Sequence, residues 1–140
     1  MKRWIDDFRS LLDAAAPAVL TTYRRDGTAV ASPVWYRFND DVFEVVLAEG
    51  DIKLRHLAHR PRCSLLVFES VAPFRGVRVE GEPTLIRQDV TPVRRSIASR
   101  YLGTDLGTRF AAARSAWGVV LTLPSVDART WDLSGILPSS

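Results

Sequence analysis

The sequence predicts a mainly β chain of α+β class: six antiparallel strands closing into a barrel, flanked by short helices. Three observations predict it. An Asp26-Gly27 pair separates two β-rich runs, a strong local hairpin signal. Val77, Val79 and Gly81 alternate strictly, as on a strand with one buried face. Helical periodicity is confined to short segments, so the strands are not joined by the long crossovers of a doubly wound sheet.

Trp4, Ile5, Phe8, Leu11, Leu12 and Ala15 recur at helical spacing, which predicts an amphipathic helix from Trp4 to Ala16, stopped by Pro17. Ala18 to Tyr23 is the first strand. Arg25-Asp26-Gly27-Thr28 turns the chain, and Thr28 to Phe38 reads as one return strand. After Asn39-Asp40-Asp41, Val42 to Ala48 completes a three-strand meander. Glu49-Gly50 ends it. Asp51 to His59 forms a short helix with Asp51 near its start, closed by Pro61. Arg62 to Glu69 and Gly76 to Ile86 are the fourth and fifth strands, joined by a loop containing Pro73. Asp89 to Leu102 is helical, with Asp89 or Thr91 near the cap, Pro92 in the first turn and Gly103 at the end. A second helical piece spans Asp105 to Arg114. Trp117 to Leu123 is the sixth strand, continued after Pro124 by Asp127 to Leu133.

The chain has 140 residues, 46% hydrophobic and 25% charged, which fits a single domain over 1–140 with a core of its own. Cys63 is its one cysteine and lies in the apolar run Cys63 to Phe68, so it reads as buried core. The N-terminus acquires Asp6 and Asp7 before any long apolar stretch, and no window approaches a membrane span; a reduced cytoplasmic setting is expected. The net charge of +3 is carried by arginine, with only Lys2 and Lys53 as lysines. No nucleic-acid-binding motif accompanies those arginines.

Several chemistries lack their motifs. No Gly-x-Gly-x-x-Gly follows a strand and there is no phosphate loop ending in Gly-Lys. No nucleophile elbow appears, which argues against hydrolysis. His56 and His59 have no nearby Cys or acid cluster to complete a metal site. Two segments carry more. Glu49 to Arg62 places Lys53 in the first turn of a helix, where free N–H groups and the dipole favour an anion, and Arg55, two residues on, splays from it to grip another oxygen of one phosphate; a solvated basic helix has the same pattern. Ser32-Pro33-Val34-Trp35-Tyr36 puts proline inside a strand, which is tolerated at an edge or bulge. Such an edge, with Trp35, suits a flat heterocycle, although Trp35 and Tyr36 also fit as wall residues.

In this order, the two segments resemble the pyridoxamine-phosphate-oxidase-like split-barrel superfamily. So do Ala18-Val19-Leu20-Thr21-Thr22 before the turn, Arg60-Pro61-Arg62, Val79-Glu80-Gly81 and Val120-Leu121-Thr122-Leu123-Pro124. Within it, the chain looks most like the branch that uses the deazaflavin coenzyme F420. The resemblance implies a split β-barrel, a homodimer with cofactor sites at its interface, and an oxidoreductase passing hydride to a small electrophilic substrate. FMN is the alternative cofactor, and a non-catalytic flavin or haem binder the alternative role. It implies cofactor contacts from Ser32, Pro33, Val34, Trp35 and Ala48, and from Ile52, Lys53, Arg55 and His56 on the helix. Phe74 and Arg75 would reach the site from the partner subunit. Asp51 departs from the branch, which often has arginine there. The C-terminus from Trp131 to Pro138 lacks the substrate-binding segment of true pyridoxine-phosphate oxidases, so that activity is not expected. No catalytic residue is assigned: Tyr36 and Tyr101 could donate a proton but also read as structural.

Overall fold

The computed structural model describes residues 3–139, so Met1, Lys2 and Ser140 of the expected domain lie outside the described residues. Helix α1 (Trp4–Asp13) leads into β1 (Ala18–Tyr23), β2 (Ala29–Val34), β3 (Arg37–Asn39) and β4 (Val42–Ala48). Helix α2 (Ile52–His59) precedes β5 (Cys63–Phe68), β6 (Gly76–Gly81) and β7 (Thr84–Asp89). Helices α3 (Thr91–Leu102) and α4 (Thr104–Ala112) follow, and β8 (Trp117–Pro124) and β9 (Ala128–Trp131) complete the strands. Among the described residues no helix is long and apolar enough to cross a membrane.

The helices and the β1–β2 and β3–β4 hairpins fall where the sequence predicts them, but the three strands of the expected meander do not share one sheet, and the six strands do not close one barrel. The described strands form two antiparallel sheets, ordered β2-β1-β5-β6-β9 and β3-β4-β8-β7. Three segments that read as continuous strands break, and their halves enter different sheets. The return strand bends at Trp35-Tyr36 between β2 and β3. The fifth strand breaks at Glu82-Pro83 between β6 and β7, and the last just after Pro124, at Ser125 to Asp127 between β8 and β9. Proline lacks the ladder donor, so two of these corners fall where pairing cannot continue. Corners of this kind let one chain wrap two sheets around one core.

That core lies between the sheets. Leu20, Leu65, Val67, Val77 and Val79 meet Phe43, Val45, Leu121 and Leu123, with Leu11 and Leu12 closing one end from α1. Cys63 is buried as expected, and burial pushes its thiol up to about 12, so it is an inert hydrophobe at neutral pH.

The Trp35-Tyr36 corner is tied to α1. Tyr36 is fully buried, and its hydroxyl lies 3.1 Å from the Leu12 carbonyl, 3.3 Å from that of Ala14 and 3.4 Å from that of Leu11. The carbonyls of Leu12 and Ala14 are among those that a helix C-terminus leaves without intrahelical partners, while that of Leu11 also accepts the Ala14 N–H. Arg100 of α3 donates to Leu12 and Ala14 from the same side, and to the Tyr36 carbonyl. Burial pushes the Tyr36 phenol up to about 12, against the opposing pull of Arg100. The folded state therefore prefers the neutral phenol, while the unfolded chain ionises near 10. On this account stability is undiminished below about pH 10 and falls as pH rises from there to about 12. Denaturation midpoints across that range should fall in the parent and fall less in Tyr36→Phe. The variant should cost about 1 kcal/mol at neutral pH, because Arg100 still serves two of the carbonyls.

Candidate functional site

The corner at Trp35 opens a cleft of about 300 Å3 between the two sheets and the α3–α4 pair. Pro33, Val34 and Trp35 supply one wall, and Val45 to Ala48 of β4 another. Asp51 and Lys53 close one end, and Arg94, Ile97, Phe110 and Arg114 form the lid side. β2 is an edge strand, which explains why Pro33 is tolerated in it.

Aromatic rings set the shape of the wall. Trp35 stacks on Tyr101 at 5.1 Å with 11° between planes, and meets Phe110 at 5.2 Å with 49° between planes. The Arg114 guanidinium lies over Phe110, 4.1 Å from its centroid. A row from Tyr101 through Trp35 and Phe110 to Arg114 thus offers planar surface beside positive charge.

The charges are unevenly matched. Asp51 caps α2, accepting from the Lys53 backbone N–H at 2.9 Å, and its carboxylate is 3.4 Å from Lys53 Nζ. The departure at Asp51 is thus a helix cap that also holds Lys53 against the cleft. Arg94 is buried, 8% exposed, and donates to the Ser115 carbonyl at 2.7 Å. Among the described residues no carboxylate forms an ion pair with it. Burial, and then the like charge of Arg114, both disfavour its charged form. An unneutralised guanidinium at that depth is costly unless an anion joins it.

Of the expected site residues, the fold brings Pro33, Val34, Trp35, Ala48 and Lys53 together at the cleft. Ser32 is half-buried and does not line it. Ile52 and Arg55 are exposed on α2; Arg55 is two residues from Lys53, on the far side of the helix. His56 is buried, with Nδ1 2.9 Å from Thr22 Oγ1 of β1, and it too is absent from the lining. Arg75 is held within its own chain by Glu69, at 2.8 and 3.0 Å, and by Ser10 Oγ at 2.9 Å. The neighbouring Phe74 is 40% exposed. Tyr101 donates its hydroxyl proton to the Ala16 carbonyl at 2.9 Å, and Tyr36 faces α1, so both phenols have structural partners.

Arg94, Ile97, Phe110 and Arg114 were not foreseen in the site. Arg94 lies in helical phase with Ile97, Ala98 and Tyr101, and an arginine on an otherwise apolar stripe is the signal that could have found it.

Residues 5–130 match the family model described as pyridoxamine 5'-phosphate oxidase. No curated protein matches the sequence. Among solved structures, a conserved hypothetical protein from Mycobacterium tuberculosis is similar at TM-score 0.81 and 21% identity, over 100% of this chain and 92% of its own. The haem storage protein HutZ from Vibrio cholerae is similar at 0.66 and 11%, over 91% and 94%. A protein described as an F420 reductase is similar at 0.63 and 19%, over 86% and 94%. At these identities the likeness is one of fold.

Proposed function

The chain belongs to the pyridoxamine 5'-phosphate oxidase family, and on that premise we propose that it is an oxidoreductase. In this reading it binds the deazaflavin coenzyme F420 and serves hydride transfer to a small electrophilic substrate. The observation that carries the reading is the convergence of Lys53, Arg94 and Arg114 beside the Trp35–Phe110 wall. A phosphate fits the cations and a flat ring fits the wall, so the residues present suit a phosphate-bearing tricyclic cofactor. A fold neighbour named as an F420 reductase supports the deazaflavin. Such a cofactor supplies hydride chemistry when bound. The chain's own residues bind the anionic end, orient the ring along β2 and β4, and exclude water with the α3–α4 lid.

FMN is the second reading, favoured by the charge of the cleft. One carboxylate against three cations leaves two net positive charges, Asp51 against Lys53, Arg94 and Arg114. That matches a phosphate monoester, which carries about −1.5 to −2 at neutral pH. Haem is disfavoured because neither histidine lines the cleft. The proposed cofactor contacts are therefore Pro33, Val34, Trp35, Ala48, Lys53, Arg94 and Arg114.

The functional unit in this reading is a cytoplasmic homodimer. Leu66 is only half-buried although it lies on β5, the central strand of its sheet, and an apolar residue there calls for a cover. The Arg75–Glu69 pair would steady the loop from which Phe74 of the partner subunit reaches the cleft. Sedimentation should give twice the chain mass; a monomer would remove this part.

A fluorescence titration with F420 and with FMN tests the cofactor assignment. Saturable binding of F420 is the expected result, and preference for FMN selects the second reading. Lys53→Ala should weaken binding about 10- to 100-fold, the worth of a charge-assisted hydrogen bond. Unchanged affinity would remove Lys53 from the site, and binding of neither cofactor would overturn the reading.

A further inference from the structure

A second space adjoins the cleft. It measures about 750 Å3 and shares Pro33, Val34, Trp35 and Phe110 with it. Beyond these it is lined by Ala15, Pro17, Ala18, Val19, Phe68 and Tyr101. No lining residue carries a charge. Its side-chain polar groups are the Trp35 indole N–H and the Tyr101 hydroxyl, and the hydroxyl already donates to the Ala16 carbonyl and lies 3.4 Å from the Tyr36 N–H. The contrast with the cleft, which holds three cations, is sharp.

We infer that this apolar pocket is the substrate site, and that it selects neutral, flat, ring-bearing compounds while rejecting phosphorylated ones. The inference rests on the proposed function for the word substrate, but the ligand class follows from the pocket itself. Its volume lies in the range of small-molecule sites. Trp35, Phe68, Tyr101 and Phe110 supply aromatic surface to the lining, and aromatic surfaces prefer offset or edge contact with another ring. A phosphate or carboxylate entering it would lose its hydration with no cation to replace it. The molecule thus sorts by charge: anionic groups are held beyond Phe110, among Lys53, Arg94 and Arg114, and neutral rings on the other side of Trp35. A bound planar cofactor and the substrate would then share the Trp35–Phe110 wall, which places the two rings next to each other. This selectivity also separates the chain from an enzyme acting on a phosphorylated pyridine, the substrate that the family's description names.

The test uses N-phenyl-1-naphthylamine, a neutral dye whose fluorescence rises in apolar sites, on the whole protein. Saturable binding is expected, with displacement by 1-naphthol. Displacement by 1-naphthyl phosphate should be at least about 100-fold weaker, since the ring is the same and the phosphate has no partner. Val19 lies on β1 outside the core, half-buried, and lines this pocket but not the cleft. Val19→Glu should therefore weaken the dye about tenfold or more while leaving FMN and F420 titrations unchanged. Equal displacement by the two naphthyl compounds, or dye binding indifferent to Val19→Glu, would overturn the inference. No dye binding, in a dimer that Val19→Glu splits, would assign the space to a second copy and overturn it too. If dye binding behaves as expected but neither cofactor binds, the neutral-ring site stands and the oxidoreductase reading fails.

Discussion

Gly107→Ala is expected to lower stability by about 2 kcal/mol, and the melting temperature by about 6 °C for a chain of this size. A Cβ at Gly107 would lie 2.5 Å from both the Ser99 Cα and N, and 2.4 Å from its Oγ. The hydroxyl could turn away, but the backbone atoms belong to α3 and can yield only if the helices part. Alanine also brings a gain, about 1 kcal/mol of helix propensity over glycine. The clash exceeds it, because contacts this short with backbone leave no local relief. The effect should reach the cleft. Phe110 follows Gly107 by about one turn and Arg114 lies just past the end of α4, and Arg94 and Ile97 lie on the helix pushed aside. Cofactor affinity should fall together with stability. Gly103→Ala is the control. Gly103 has φ +86 and no atom near its would-be Cβ, so alanine there is strained without spreading the pair. Thermal denaturation and a cofactor titration on both variants check this. A Gly107→Ala protein as stable as its parent would mean that helix propensity wins and the crossing is looser than drawn.

What the sequence made legible follows from the range over which each signal acts. The Asp26-Gly27 turn, the α1 stripe and the β1, β4 and β5 runs are local patterns, and they stand where expected. The sheet-switching corners are not local. Alternation continues through Trp35-Tyr36 and through Gly81 to Thr84, so a period-2 reading joins what the fold separates. Pro83 and Pro124 were the available warnings, since proline inside a run demotes it as a central strand. The cleft divides in the same way. Pro33 to Trp35 and Lys53 were recognisable because an edge proline and a cation near a helix start have local meanings. The two-residue spacing that splays Arg55 from Lys53 puts it on the opposite side of α2, exposed and outside the cleft lining. Arg94 on α3 and Arg114 just past the end of α4 stand 40 or more residues beyond Lys53 in a chain of 140, and only the tertiary fold places them beside it.

Arg94→Met separates the two roles that a buried arginine can have. If Arg94 is a structural strut, removing it should cost the 1.5–3 kcal/mol or so of a charged hydrogen bond, because the Ser115 carbonyl loses its 2.7 Å donor. If it is an anion ligand, the empty site is strained by it. A guanidinium 8% exposed, near Arg114 and without a carboxylate among the described residues, destabilises the fold until its counter-charge arrives. Methionine of similar length removes that penalty and keeps the packing against Ile97 and Ala98. The two terms oppose each other, so stability without ligand should stay within about 1 kcal/mol of the parent. Cofactor affinity should fall about 10- to 100-fold, and its dependence on salt should flatten, because one of the three cations facing the anion is gone. Arg94→Lys should fall between the two: it keeps the charge but loses the planar fork that can hold Ser115 and a phosphate oxygen at once. Denaturation of the unliganded protein and a titration at two salt concentrations read both terms. A large loss of stability with affinity intact would make Arg94 a strut. Near-parental stability with weakened binding would show that the chain carries a destabilising charge in its interior for the sake of its ligand.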